Sequence, residues 1–201
     1  MRTRETITGV ILAGGKSRRM RGDKALLTFE GEALISRIAR TMKGVFSQVL
    51  LISNSGTYRF LGLPVFADLY RDSGPLAGIH SGLLHARTSA IFVVACDMPY
   101  VFQELIEYIV DFESNADVKI PMIDRTLHPL CGLYSRRCLP TVEESLRSGS
   151  RRVQEVLTRL HITVIPVNSQ LPFYREDLLL NINEPRDYEL LTQAHSFEIP
   201  S

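Results

Sequence analysis

Several function classes are disfavoured by what this 201-residue chain has little of. Its three cysteines, Cys96, Cys131 and Cys138, are far apart and form no CxxC pair. Neither a zinc site nor a disulfide framework is favoured, and a reducing, cytoplasmic setting is expected. Charge of one sign is lacking too: 23 Lys and Arg against 22 Asp and Glu leave +1. No global field gathers nucleic acid or a membrane surface, and neither is an expected partner. No apolar run approaches the ~20 residues that span a bilayer. Arg2, Arg4 and Glu5 lead straight into the first apolar run, so no targeting segment is expected. The chain has no repeat, no low-complexity segment and no long linker. It also lacks the G-x-G-x-x-G and G-x-x-x-x-G-K-[ST] phosphate fingerprints.

What is present reads as alternating strands and helices. Ile7–Leu12, Gln48–Ile52, Pro64–Phe66 and Ala90–Ala95 are short apolar runs suited to buried strands. Leu34, Ile35, Ile38, Ala39 and Met42 recur at helical spacing. Leu76–Leu84, Phe102–Phe112, a face from Val153 to Leu160, and Pro185–Thr192 are further expected helices. Thr141 and Glu144 predict a capping box after Pro140. Val118–Pro121, Leu130–Tyr134 and Ile162–Val167 complete the strands, with an antiparallel pair expected around 118–134. The expectation is an α/β fold, Rossmann-like, with a mostly parallel, mixed and twisted sheet covered by helices on both faces. One domain over 1–194 and a loose tail over 195–201 are expected.

The stretch "GVILAGGKSRRMRGDKALL", Gly9 to Leu27, closes the first strand with Gly14 and Gly15 and then supplies Lys16, Arg18, Arg19, Arg21 and Lys24. In an open α/β sheet, ligands bind beyond the carboxyl ends of the strands. Bare backbone followed by cationic side chains suits a polyphosphate there. Asp97 directly follows the Ala90–Ala95 strand and reaches the same rim. One carboxylate with phosphate oxygens and water is a common Mg²⁺ shell, so Asp97 is the expected metal ligand. Asp68, Gly74, Pro75 and Gly78 shape a turn into a helix start. Arg151 and Arg152 stand at a helix start, an unfavourable place unless an anion lies near. Asn181 and Asn183 share one side if their segment is extended. A cap before the last helix explains Asn183, whereas Asn181 has no such explanation.

The ordered set Leu12–Met20, Asp23–Leu27, Gly74–Gly78, Cys96–Pro99 and Asn181–Pro185 resembles the molybdenum cofactor guanylyltransferases, also called molybdopterin-guanine dinucleotide synthases. "HPLCGLY" and "SGSRRVQEVL" extend the resemblance across nearly the whole chain. One departure is local: where the family reads R-M-G-x-D-K, Arg21 replaces the glycine and Gly22 precedes Asp23. The resemblance implies a Rossmann-like nucleotidyltransferase fold and transfer of GMP from GTP to molybdopterin, with release of pyrophosphate. It implies GTP contacts from Leu12, Ala13, Gly14, Gly15, Lys24, Asp68 and Asp97, with Arg19, Lys24 and Asp97 catalytic and Mg²⁺ on Asp97. It assigns Gly74, Gly78, Arg152, Asn181 and Asn183 to activity or to the molybdopterin side. Transient contacts with a GTP-binding accessory protein and with molybdoenzyme apoproteins are also implied. A cytidylyl enzyme for the same cofactor, a sugar-phosphate enzyme of the same fold, and a non-catalytic nucleotide-binding adaptor are the competing readings. The Ala13-Gly14-Gly15 sequence favours the guanylyl branch over a cytidylyl branch with L-A-A-G.

Overall fold

In the computed structural model, which describes residues 4–14, 24–182 and 186–189, the expected alternation is present. The elements are β1 (Ile7–Leu12), β2 (Thr28–Phe29), β3 (Glu32–Ala33), α1 (Leu34–Val45), β4 (Val49–Ile52), β5 (Val65–Phe66), α2 (Gly74–His85) and β6 (Ala90–Ala95). They continue with α3 (Gln103–Asp111), β7 (Val118–Ile123), β8 (Thr126–Leu127), β9 (Cys131–Ser135), α4 (Leu139–Arg147), α5 (Val153–Leu157) and β10 (Ile162–Pro166). The main sheet runs β10-β7-β9-β6-β1-β4-β5, with β8 paired to β7, while β2 and β3 form a separate hairpin. Strands β5, β4, β1 and β6 are parallel. Strand β9 lies antiparallel between β6 and β7, which makes the sheet mixed.

All six residues of β1 and of β6 are buried, so both strands are covered on both faces. Side chains alternate between the faces. Ile7, Ile11, Phe92 and Val94 pack with Ile35 and Ile38 of α1 and with Leu105 and Ile109 of α3. Val10, Leu12, Ile91 and Val93 pack with Leu76 and Ile79 of α2, Val142 of α4 and Val156 of α5.

The chain moves outward from β1 to β4 and β5, then returns to place β6 on the other side of β1. That reversal opens a crevice between the carboxyl ends of β1 and β6. Helix α2 lies close to this end of β1. A Cβ placed on Gly78 would stand 2.9 Å from Leu12 Cδ2, so only glycine permits the approach without a shift.

Some details differ from the sequence expectations. Thr141 and Glu144 make no capping box, because α4 starts at Leu139 with Pro140 in its first turn. Thr141 is already inside that helix, where its carbonyl takes the Ser145 hydroxyl at 2.8 Å. Helix α2 begins at Gly74 rather than Leu76, with Pro75 in its first turn. Helix α5 is five residues long and stops at Leu157. The β2–β3 hairpin and β8 carried no signal, since each strand has only two residues. Of the expected last helix, residues 186–189 are helical. Its remaining residues and the 195–201 tail lie outside the described residues.

Candidate active site at the β1–β6 crevice

The carboxyl end of β1 is tied to both neighbouring strands. The Leu12 carbonyl accepts from Cys96 N at 3.0 Å, and Ala13 N donates to the Ile52 carbonyl at 2.9 Å. The side chains of Leu12 and Ala13 are buried, so a ligand can meet only their remaining backbone groups. Gly14 is exposed, and the nearest atom to a Cβ built on it is Asp68 Oδ2 at 3.8 Å, an ordinary contact. Packing does not require glycine here; what the glycine preserves is open space above the backbone.

Asp97 stands two residues past β6. Its carbonyl accepts from Ile182 N at 2.9 Å, and the Ile182 carbonyl accepts from Lys24 Nζ at 3.2 Å. The Ile182 side chain is buried with Phe29, Leu34 and Tyr100, which fixes this stitch in place. Three stretches remote in sequence, at Lys24, Asp97 and Asn181-Ile182, thereby share one wall of the crevice. Asp97 Oδ1 is buried with no hydrogen-bond partner among the described residues. Burial pushes the carboxyl above its ordinary range; the Lys24 charge opposes this with the smaller effect.

On the other side of β1, Asp68 follows β5 by two residues. Asn54 Nδ2 donates to Asp68 Oδ2 at 3.0 Å, and Asp68 N donates to Asn54 Oδ1 at 3.0 Å. Asp68 Oδ1 is buried without a hydrogen-bond partner among the described residues, and burial raises this carboxyl as well. Asn54 was missed by sequence reasoning. The signal was the "SNS" run just beyond β4, where a polar residue reaches the binding rim. Across the β6-β1-β4-β5 order, three strand spacings of roughly 14 Å separate the two carboxylate-bearing strands.

A third group surrounds the start of α2. Gly74 has φ +67°, and a Cβ on it would lie 3.5 Å from the Arg151 carbonyl. Arg152 is exposed beside this contact as the N-cap of α5, with Nη1 3.8 Å from Glu155 Oε1. Glu155 on the same short helix therefore answers part of the charge that the sequence left unbalanced. Gly78 is buried and serves the α2–β1 packing. Asn181 is half-buried next to Ile182. Gly15, Arg19 and Asn183 lie outside the described residues.

No group of three or more His, Cys, Asp and Glu side chains is placed to hold a metal among the described residues. A divalent ion would have to rest on a single carboxylate, with ligand oxygens and water completing its shell. The orphaned, buried Asp97 Oδ1 fits that requirement. No helix among the described residues is long and apolar enough to cross a membrane.

This geometry agrees with what the chain is similar to. The model of the MobA-like NTP transferase domain matches residues 9–163. A protein of Pelotomaculum thermopropionicum named "Probable molybdenum cofactor guanylyltransferase" is 39% identical over 90% of this chain and 89% of its own. The molybdenum cofactor guanylyltransferase of Desulfosudis oleivorans is 35% identical over 80% of this chain and 81% of its own. Among solved structures, molybdopterin-guanine dinucleotide biosynthesis protein A from Archaeoglobus fulgidus superposes with a TM-score of 0.81 at 25% identity, covering 94% of this chain and 98% of that one. The chain belongs to the MobA-like NTP transferases and, within them, to the molybdenum cofactor guanylyltransferases, a family of nucleotidyltransferases.

Proposed function

We propose that the chain transfers GMP from GTP to the terminal phosphate of molybdopterin. An acceptor phosphate oxygen bonds to the α-phosphorus as the bond from that phosphorus to the bridging oxygen breaks. Pyrophosphate leaves with the electron pair, and the guanine dinucleotide cofactor forms. An ionised phosphate has no proton to lose, so positioning and charge neutralisation carry the step. That agrees with a crevice whose described walls offer carboxylates, a lysine and bare backbone.

The observation that carries this reading is Asp97 Oδ1, buried and unpartnered at the switch point beside Lys24. Asp97 would hold Mg²⁺ together with phosphate oxygens. When bound, that ion supplies positive charge to the phosphates as negative charge develops. Lys24 keeps a second positive charge near the same point, and Arg19 adds another by the family resemblance. Asp68 is assigned to the guanine edge. Its Oδ2 is fixed by Asn54 and its Oδ1 lacks a donor, which suits the N1–H and N2–H of guanine. Cytosine offers no such adjacent pair. Gly15 is assigned to the backbone contact begun at Gly14. Gly74, Arg152, Asn181 and Asn183 are assigned to the molybdopterin side, and Gly78 to holding Leu12. Accessory-protein and apoenzyme contacts would be transient and follow product formation.

The test is Asp97→Asn, which keeps size and removes charge. Pyrophosphate release at saturating GTP, molybdopterin and Mg²⁺ is expected to fall by about a hundredfold or more, with the circular dichroism spectrum unchanged. A folded variant that turns over near the wild-type rate would remove Asp97 from the mechanism.

A further inference from the structure

The loop from Asp68 to Ser73 joins β5 to α2 and carries the carboxylate assigned to guanine. Its backbone holds an unusual conformation. Asp72 has φ +57° and Gly74 has φ +67°, so two left-handed residues occur within three positions. A loop of this kind persists when its surroundings over-determine it. Here the surroundings come from beneath. Leu69 N donates to the buried Ser81 Oγ at 3.3 Å, while the Leu69 side chain is 65% exposed. The next residue, Tyr70, turns back onto the protein. Its ring meets the His80 ring edge to face, with centroids 5.0 Å apart and planes at 88°. Its hydroxyl accepts from Arg147 Nε at 3.4 Å, and Arg147 Nη2 is paired with Glu143 Oε1 at 2.7 Å.

His80 itself is 1% exposed, and its Nδ1 has no hydrogen-bond partner among the described residues. Burial lowers its pKa and keeps the imidazole neutral. Packing an apolar residue at this place on α2 would bury the helix without an orphan nitrogen. The flat aromatic face is what the position gains by being histidine. The reaction as assigned above uses neither Tyr70 nor His80.

We propose that Tyr70, seated on His80 and tethered by Arg147, is a positioning residue that fixes the Asp68 carboxylate and thereby sets the preference for guanine. The proposal rests on the assignment of Asp68 to the guanine edge. Asn54 holds that carboxylate from β4, and Tyr70 anchors the loop two residues further on. Between these two anchors the carboxylate has one place to stand. Without the second, the loop loses its aromatic seat on α2 and its tether to Arg147. A base reader displaced by about an ångström loses most of its selectivity, because paired hydrogen bonds tolerate little misalignment.

The experiment compares GTP with ITP, which lacks the 2-amino donor, by calorimetric binding in Mg²⁺. Wild type is expected to prefer GTP by roughly tenfold or more. Tyr70→Ala is expected to weaken GTP by more than about tenfold and ITP, which keeps only the N1–H donor, by much less, so that the ratio falls towards one. Tyr70→Phe, which keeps the ring on His80 but loses the Arg147 tether, is expected to lower the ratio only about threefold. Arg147→Ala changes an exposed side chain and keeps the fold safe; it is expected to lower the ratio by about threefold. A merely structural role would weaken both nucleotides by the same factor and leave the ratio unchanged, and that outcome for the Tyr70 and Arg147 variants overturns the proposal. Asp68→Asn separates the two layers. If it abolishes the ratio and Tyr70→Ala does not, Tyr70 has no positioning role and the guanine assignment stands. If Asp68→Asn leaves the ratio intact, the guanine assignment fails and the role of Tyr70 fails with it.

Discussion

Burial holds the Asp97 carboxyl above the ordinary carboxylate range although the Lys24 charge lies near it. A carboxyl that keeps its proton more tightly when folded stabilises the fold in its protonated form. That contribution is complete below the ordinary value of 3.8 and is lost as pH rises through the raised one. Near neutral pH, the ligand-free protein therefore carries a penalty at Asp97. Asp97→Asn is expected to melt above wild type at pH 7.5 without metal or nucleotide, and the gap is expected to close as pH approaches about 4. Glu32, lowered by Arg40, titrates with the opposite sign but is common to both proteins, so the difference isolates Asp97. Scanning calorimetry across that range reads the effect; a variant that melts below wild type at every pH would mean that the charge is well solvated. The residue proposed to hold the metal is thus expected to be one the fold would be more stable without.

Between elements, the informative side chains are those that let two of them meet. Lys119, the second residue of β7, is 5% exposed, and its ammonium donates to the Val110 carbonyl at 2.7 Å and to the Phe112 carbonyl. These are carbonyls at the end of α3, where a helix leaves its acceptors unpaired and concentrates negative charge. Lys119→Met keeps the length and deletes the donors; it is expected to cost about 2 kcal/mol or more in urea unfolding. A change within about 0.5 kcal/mol would show that water takes over both carbonyls. The glycines at 14 and 78 make a contrasting pair. Gly78→Leu forces α2 off Leu12 and is expected to lose about 1–3 kcal/mol of stability. Gly14→Ala adds a Cβ that meets only an ordinary contact, so its melting temperature should hold while its affinity for GTP falls. If the two variants exchanged phenotypes, the assignment of one glycine to packing and the other to the ligand would be reversed.

At the scale of the molecule, the sequence made the parallel half of the sheet readable because β1, β4 and β6 are buried on both faces and leave unbroken apolar runs. The two carboxylates were readable because each ends such a run or lies just past one. The order of the strands was not readable, since pairing β1 with β6 joins residues more than eighty apart and no local pattern encodes it. The β2–β3 hairpin escaped because its turn places Glu30 at φ +51°, a role sequence reasoning assigns to Asn or Gly. Asn54 escaped because its importance comes from a partner fourteen positions away. The backbone stitch at Ile182 has a consequence in time as well as in space. Residue 182 lies beyond the last strand, so a chain emerging from the ribosome can assemble its whole sheet before this clamp exists. The wall formed by Lys24 and Asp97 is completed by a stretch made after every strand of the sheet. A chain stopped after β10 would lack this clamp together with Leu178, Leu179 and Ile182, which are buried in the core, so it is expected to lose stability and the proposed nucleotide site at one stroke.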